Sequence, residues 1–122
     1  MHESIVAIHD YYKAFSTLEF DAYAAFFTQP CMFIAPQGTY AVANREDLAK
    51  VVGPVIEALK TQDYRYSEFI DPQVTTLNEH TALVRGVAVR YRASGTELER
   101  VRINYLMHQT GAAWKIAVLA MG

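Results

Sequence analysis

One cysteine, Cys31, is all the thiol chemistry this chain carries. An internal disulfide is therefore impossible and a zinc cluster is excluded. A lone thiol in an apolar stretch packs like a small hydrophobe and suits a reducing compartment. Charge is scarce too. Charged residues make up 20% of the 122, and the net charge is −2. No positive field draws a phosphate backbone, so nucleic acid is not an expected partner. Nor does any stretch have the length and apolarity of a membrane span, and the N-terminal segment with His9, Asp10 and Lys13 is not a signal peptide. The cytoplasm is the expected location. A glycine-rich phosphate loop, a nucleophile elbow and a paired-carboxylate signature are all missing. His2, His9, His80 and His108 lack metal-ligand spacing, so neither a metal nor another cofactor is expected. Repeats and linkers are absent as well, and the chain is too short for two separate cores. A single domain over residues 1–122 follows.

Apolar and aromatic residues are plentiful instead: 52% hydrophobic, with eight tyrosines and six phenylalanines. That abundance means a well-filled interior or a pocket walled by rings. From Ser4 to about Ser16, Ile5, Ile8, Tyr12 and Phe15 recur at helical spacing, with Ala7, Tyr11 and Ala14 as a neighbouring stripe. A short helix is predicted near Glu19 to Phe27, ended by Pro30. Cys31–Ala35, the turn Pro36-Gln37-Gly38 and Thr39–Val42 read as a hairpin. Asn44 then caps a helix whose stripe runs through Leu48, Val51, Val52, Val55, Ile56 and Leu59, with a kink expected at Gly53-Pro54. Strand patterns follow over Tyr64–Ile70, Thr81–Arg92, Leu98–Gln109 and Trp114–Met121, separated by turn residues. Helices first and a long meander afterwards argue for an α+β fold with a mostly antiparallel sheet.

Alternation assigns the faces of the meander. Leu83, Val87, Val89, Tyr91, Val101, Ile103, Tyr105 and Met107 are expected to face the helices, with Arg90, Arg92, Arg100, Arg102 and Asn104 outside. Arg85 falls within the inward set. A buried arginine needs a carboxylate such as Glu68 or Asp71, a wet cavity or an anionic ligand. The outward arginines are expected to pair with Glu97 and Glu99 or with a second subunit.

Several strings carry a resemblance: Tyr11-Tyr12-Lys13-Ala14-Phe15, Glu19-Phe20-Asp21-Ala22-Tyr23, Ala43-Asn44-Arg45-Glu46-Asp47-Leu48 and Gly111-Ala112-Ala113-Trp114-Lys115-Ile116. With the order of elements, they resemble the SnoaL-like branch of the nuclear transport factor 2-like superfamily, whose relatives include ketosteroid isomerase. The resemblance implies a cone-shaped sheet wrapped around helices, a pocket at its open end and a homodimer. It puts Tyr11 where the isomerase has its oxyanion-hole tyrosine. The isomerase's base aspartate falls on Ala35, which moves no proton. Its second oxyanion-hole acid falls on Tyr105 if the last turn carries one extra residue, and on Asn104 otherwise. The first register also keeps Ile103 and Met107 on the apolar face.

The resemblance thus implies a pocket for a small apolar molecule bearing a carbonyl or carboxylate. Tyr11 and Tyr105 are its candidate catalytic donors, and Arg85 its anion holder. Phe15, Phe33, Val87 and Leu119 are candidate wall, with Ala35, Ile103, Asn104 and Met107 beside them. Isomerase, dehydratase or cyclase chemistry fits, and steroid-type isomerisation is disfavoured by Ala35. The other reading of Tyr11 and Tyr105 is core tyrosine with a satisfied hydroxyl. For the whole chain, the alternative is a non-catalytic ligand-binding or homodimeric interaction domain.

Overall fold

The computed structural model describes Met1–Gly122. Its elements run α1 (Glu3–Ser16), α2 (Phe20–Ala24), β1 (Phe27–Ala35), β2 (Gly38–Val42), α3 (Arg45–Lys60), β3 (Tyr64–Asn78), β4 (Thr81–Arg92), β5 (Glu97–Thr110) and β6 (Ala113–Met121). The α+β reading holds: one curved six-stranded sheet, in the order β2-β1-β6-β5-β4-β3, packs against the helices. Every neighbouring pair is antiparallel except β1 with β6, which run parallel.

Helix α1 begins where the His2 ring accepts a hydrogen bond from the Ser4 amide at 3.1 Å, quieting one of the four amides that a helix start leaves unpaired. Ile5, Ile8, Tyr11, Tyr12 and Phe15 are all buried, so both stripes read from the sequence are covered. Leu18, at φ 57°, turns the chain out of the helix. Helix α3 starts on Asn44, whose side chain accepts from the Asp47 amide at 2.9 Å, while the Asp47 carboxylate accepts from the Ala43 amide at 3.1 Å. This reciprocal cap anchors the helix. Leu48, Val52, Ile56 and Leu59 face the core. The helix stays one element through Gly53-Pro54, although Pro54 leaves the Lys50 carbonyl without its helical donor.

Two boundaries differ from the sequence reading. Helix α2 ends at Ala24, and Pro30 lies inside β1 rather than terminating a helix. It sits where the β1–β6 register shifts between Phe27 and Met32, a place where a residue without an N–H costs no ladder bond. Strand β3 continues past Ile70 to Asn78 by way of a bulge between Ile70 and Gln73. There Asp71, at φ 53°, and Pro72 interrupt the ladder without ending it.

A larger correction concerns β4. Its inward residues are Ala82, Val84, Gly86, Ala88 and Arg90, opposite Met107, Tyr105, Ile103, Val101 and Glu99 of β5. The sequence reading had the other parity. Leu83, Arg85, Val87 and Val89 therefore lie on the outer face. The reason is steric. Phe69 and Tyr105 project their rings over β4 from either side, so the strand between them must be small. A Cβ on Gly86 would collide with the Phe69 ring. On β5 the predicted inward set, Val101, Ile103, Tyr105 and Met107, is the observed one. The outer face holds the pair Arg100–Glu97, with 2.8 Å between Nη2 and Oε1.

Candidate functional site

The concave side of the sheet is only partly filled by α1. Ile5, Ile8, Met107, Ile116 and Trp114 close one end as packed core. Toward the other end a cavity of about 700 Å³ remains, lined by 22 residues of which 17 are hydrophobic. That volume falls within the usual range for small-molecule sites, roughly 300–1,000 Å³.

Strand pairing sets its walls in rows. Tyr105 of β5, Leu119 of β6, Phe33 of β1 and Tyr40 of β2 lie side by side across four strands. Ile103 stands opposite Met121, and Val101 opposite Ala88. The last row is polar: Ser67 of β3, Arg90 of β4 and Glu99 of β5. Helix α1 lays Tyr11, Tyr12 and Phe15 along one side, and α3 brings Lys50, Val51, Val52 and Val55 to another. Exposed Gln37, Tyr40, Lys50 and Glu99 mark the rim.

Four phenols meet in the interior. The Tyr12 and Tyr105 hydroxyls share a hydrogen bond of 2.6 Å. Tyr11 stands edge-on to both rings, at 5.2 Å and 5.8 Å between centroids, and Tyr23 lies 5.4 Å away. Tyr11 and Tyr23 both line the cavity, and no fully enclosed polar side-chain atom is left without a partner. Burial pushes the Tyr11 phenol up to about 12, partly offset by the nearby Tyr23 hydroxyl and the Arg90 charge. Burial likewise holds Tyr12, Tyr23 and Tyr105 well above the usual phenol range. These are neutral donors at any physiological pH, the state needed to polarise a carbonyl and the wrong one for a base.

Arg90 is the cation of the cavity wall. Its guanidinium lies 5.5 Å from the Phe15 ring centre and pairs with Glu99, its cross-strand neighbour. Glu99 is the one carboxylate among the lining residues. No cluster of histidine, cysteine, aspartate or glutamate is suited to hold a metal ion.

This architecture recurs among solved structures. An NTF2-like protein with a cystatin-like fold from Novosphingobium aromaticivorans superposes with a TM-score of 0.76 at 19% identity, over 98% of this chain and 79% of that one. An NTF2-like protein of unknown function from Shewanella oneidensis gives 0.75 at 18%, over 98% and 96%. A protein of unknown function with a cystatin-like fold from Nostoc punctiforme gives 0.76 at 11%, over 96% and 85%. Identities this low speak for the fold alone. In sequence, the family described as NTF2-like protein (DUF6841) matches residues 3–122. The chain belongs to that NTF2-like family. Among curated proteins none matches it.

Within this NTF2-like domain the residues singled out from sequence divide in two. Tyr11, Phe15, Phe33, Ala35, Ile103, Tyr105 and Leu119 all line the cavity. Of the two registers left open, the structure has Tyr105 inward, while Asn104 turns outward and its amide donates to the Ala120 carbonyl at 3.3 Å. Met107 points inward but is 1% exposed and belongs to the closed core, not the cavity. Arg85 and Val87 are on the outer face. Arg85 is exposed and reaches only the Gln73 side chain, at 3.5 Å, and neither Glu68 nor Asp71 bonds to it. The parity of β4 is the cause in both cases.

Sequence reasoning missed Tyr12, Tyr23, Arg90 and Glu99. Tyr12 and Tyr23 were visible as helix-face aromatics without a reason to prefer them over packing. Arg90 carried a signal that was available: the Ser94-Gly95 turn fixes the hairpin register, and that register sets Arg90 opposite Glu99.

Proposed function

We propose that this chain is a small-molecule pocket protein of the SnoaL-like type. Its ligand is mostly apolar and carries a carbonyl or a carboxylate. The observation that carries this reading is the apolar cavity of about 700 Å³, lined by the Tyr11, Tyr23 and Tyr105 phenols. An oxygen of the ligand accepts from Tyr11, while the Tyr12–Tyr105 pair stiffens the wall behind it. As an enzyme the domain would be an isomerase, dehydratase or cyclase, its phenols steadying charge that develops on oxygen.

A specific observation favours the non-catalytic form of the same reading. Ala35 lines the cavity where the resemblance puts a base, and Glu99, the one lining carboxylate, is tied to Arg90. A carboxylate held by a guanidinium is a weak base, so proton abstraction would need a group from the ligand or a water. We also propose a homodimer through the outer sheet face, where Met32, Val118, Leu106 and Leu83 form an apolar row across four strands. Light scattering that returned the single-chain mass of 13.8 kDa would remove the dimer.

The test of the pocket is a thermal-shift screen with apolar ketones, enones and aromatic carboxylates. A ligand that binds the native state raises its melting temperature by mass action. At least one of these classes is expected to do so, and a flat response to all three counts against the reading. Hits then go to turnover assays, where absence of product favours the carrier.

A further inference from the structure

The charged groups of the cavity do not cancel. Lys50, Arg90 and Glu99 are the only charged side chains among its lining residues, and they leave an excess of one positive charge. Arg90 is the more enclosed of the ion pair, its side chain 27% exposed against 51% for Glu99. A guanidinium has five N–H donors in a fixed fork. Here one is given to Glu99, and Phe15 covers the flat face of the group. No nitrogen of Arg90 is sealed off unpaired, so the remaining donors are open to the cavity or its rim. Glu99, half in water at the rim, leaves its partner at little cost when a better anion arrives.

We propose that the cavity takes an amphipathic monoanion, its carboxylate on Arg90 and its apolar body running inward toward Tyr11. This rests on the pocket reading above and narrows it from carbonyl or carboxylate to carboxylate. The fit is geometric as well as electrostatic. Phe15 bridges the two ends, its ring 5.5 Å from the guanidinium carbon and 6.3 Å from the Tyr11 ring. Those two steps bound the separation of Arg90 from Tyr11, and a two-ring aromatic acid is of comparable length. Ala88, Val101 and Ile103 supply an apolar wall along the way. Such a ligand would displace Glu99 into solvent. A cationic ligand finds no match, because the lining charges leave an excess of one positive charge.

The test is calorimetric titration of the full chain with 2-naphthoate and its neutral isostere 2-naphthamide. Wild type is expected to bind the acid at least tenfold tighter, which is about 1.4 kcal/mol. Arg90→Gln should lose that preference, bringing the acid down to the amide's affinity or below it. Glu99→Gln, at the exposed rim and harmless to folding, should tighten the acid because it removes the internal competitor. Equal affinity for the two probes in wild type overturns the proposal and leaves the pocket reading standing. So does a Glu99→Gln variant that binds the acid more weakly than wild type. If neither probe binds, the anion subsite fails, and the ketone and enone arms of the thermal-shift screen decide the pocket reading.

Discussion

The Tyr12 hydroxyl lies 2.6 Å from that of Tyr105, joining the middle of α1 to the centre of β5 across 93 residues of chain. Both side chains are buried, at 5% and 1% exposure. The bond therefore pairs two hydroxyls on side chains almost withdrawn from solvent. Tyr12→Phe leaves the Tyr105 hydroxyl without a partner and is expected to cost about 1–3 kcal/mol of stability. Tyr12→Phe with Tyr105→Phe, which removes both partners, should cost less than the sum of the single changes. Denaturant melts of the four proteins in a double-mutant cycle measure the difference.

Gly86 is held small by the Phe69 ring. Gly86→Ala brings a Cβ into collision with that ring and should lower stability by roughly 1–3 kcal/mol, the usual range for overpacking. Phe69→Leu in the same chain should recover part of the loss. Thermal melts of the single and double variants decide it. A Gly86→Ala protein as stable as wild type would contradict the packing described for β4.

Alkaline pH should unfold this domain through its buried phenols. In the unfolded chain a phenol ionises near pH 10, roughly, whereas Tyr11 in the native state holds its proton to about 12. The unfolded state thus binds fewer protons between those values, and stability falls as pH rises there. The contribution of Tyr11 is fully present below pH about 10 and lost through about 12, for a total of about 3 kcal/mol. Tyr12, Tyr23 and Tyr105 act in the same direction. Chemical melts across this pH range should show the decline, and Tyr11→Phe should make it shallower.

The cavity and the outer face of the sheet predict opposite outcomes for ligand binding. Tyr11→Phe removes a donor from the cavity lining. It should weaken a bound ketone by roughly twofold to tenfold, the worth of one neutral hydrogen bond, with little effect on folding. Arg85→Ala, on the exposed outer face, should change stability by no more than about 0.5 kcal/mol and binding not at all. Titration of both variants with the same ketone separates the roles.

What the sequence made legible follows the strength of its patterns. Strand β5 had one apolar set, Val101, Ile103, Tyr105 and Met107, and its inward face was plain. Strand β4 is apolar on both faces, with Leu83, Val87 and Val89 outside against Ala82, Val84 and Ala88 inside. Hydrophobicity alone favours the bulkier set. The deciding fact is complementarity with Phe69 and Tyr105, which come from other strands and cannot be weighed along β4 by itself. Misreading that parity moved the cavity's arginine from Arg90 to Arg85. Tyr11 and Ala35 were placed by resemblance, whereas Tyr12 and Tyr23 needed the rings to be brought together by the fold.

The parallel pairing of β1 with β6 has a consequence for how the chain is made. Hairpin β1–β2 is complete by Val42, yet it joins the rest of the sheet only through β6, which follows every other element. Until that strand emerges from the ribosome, β1 presents an unpaired edge and the Phe33 side of the cavity has no continuous wall. Closure of the sheet is thus a late, long-range event, slow by its topology and exposed to mispairing while it waits. A nascent chain stalled before Ala113 should remain protease-sensitive across β1 and β2, and gain protection there once β6 is added.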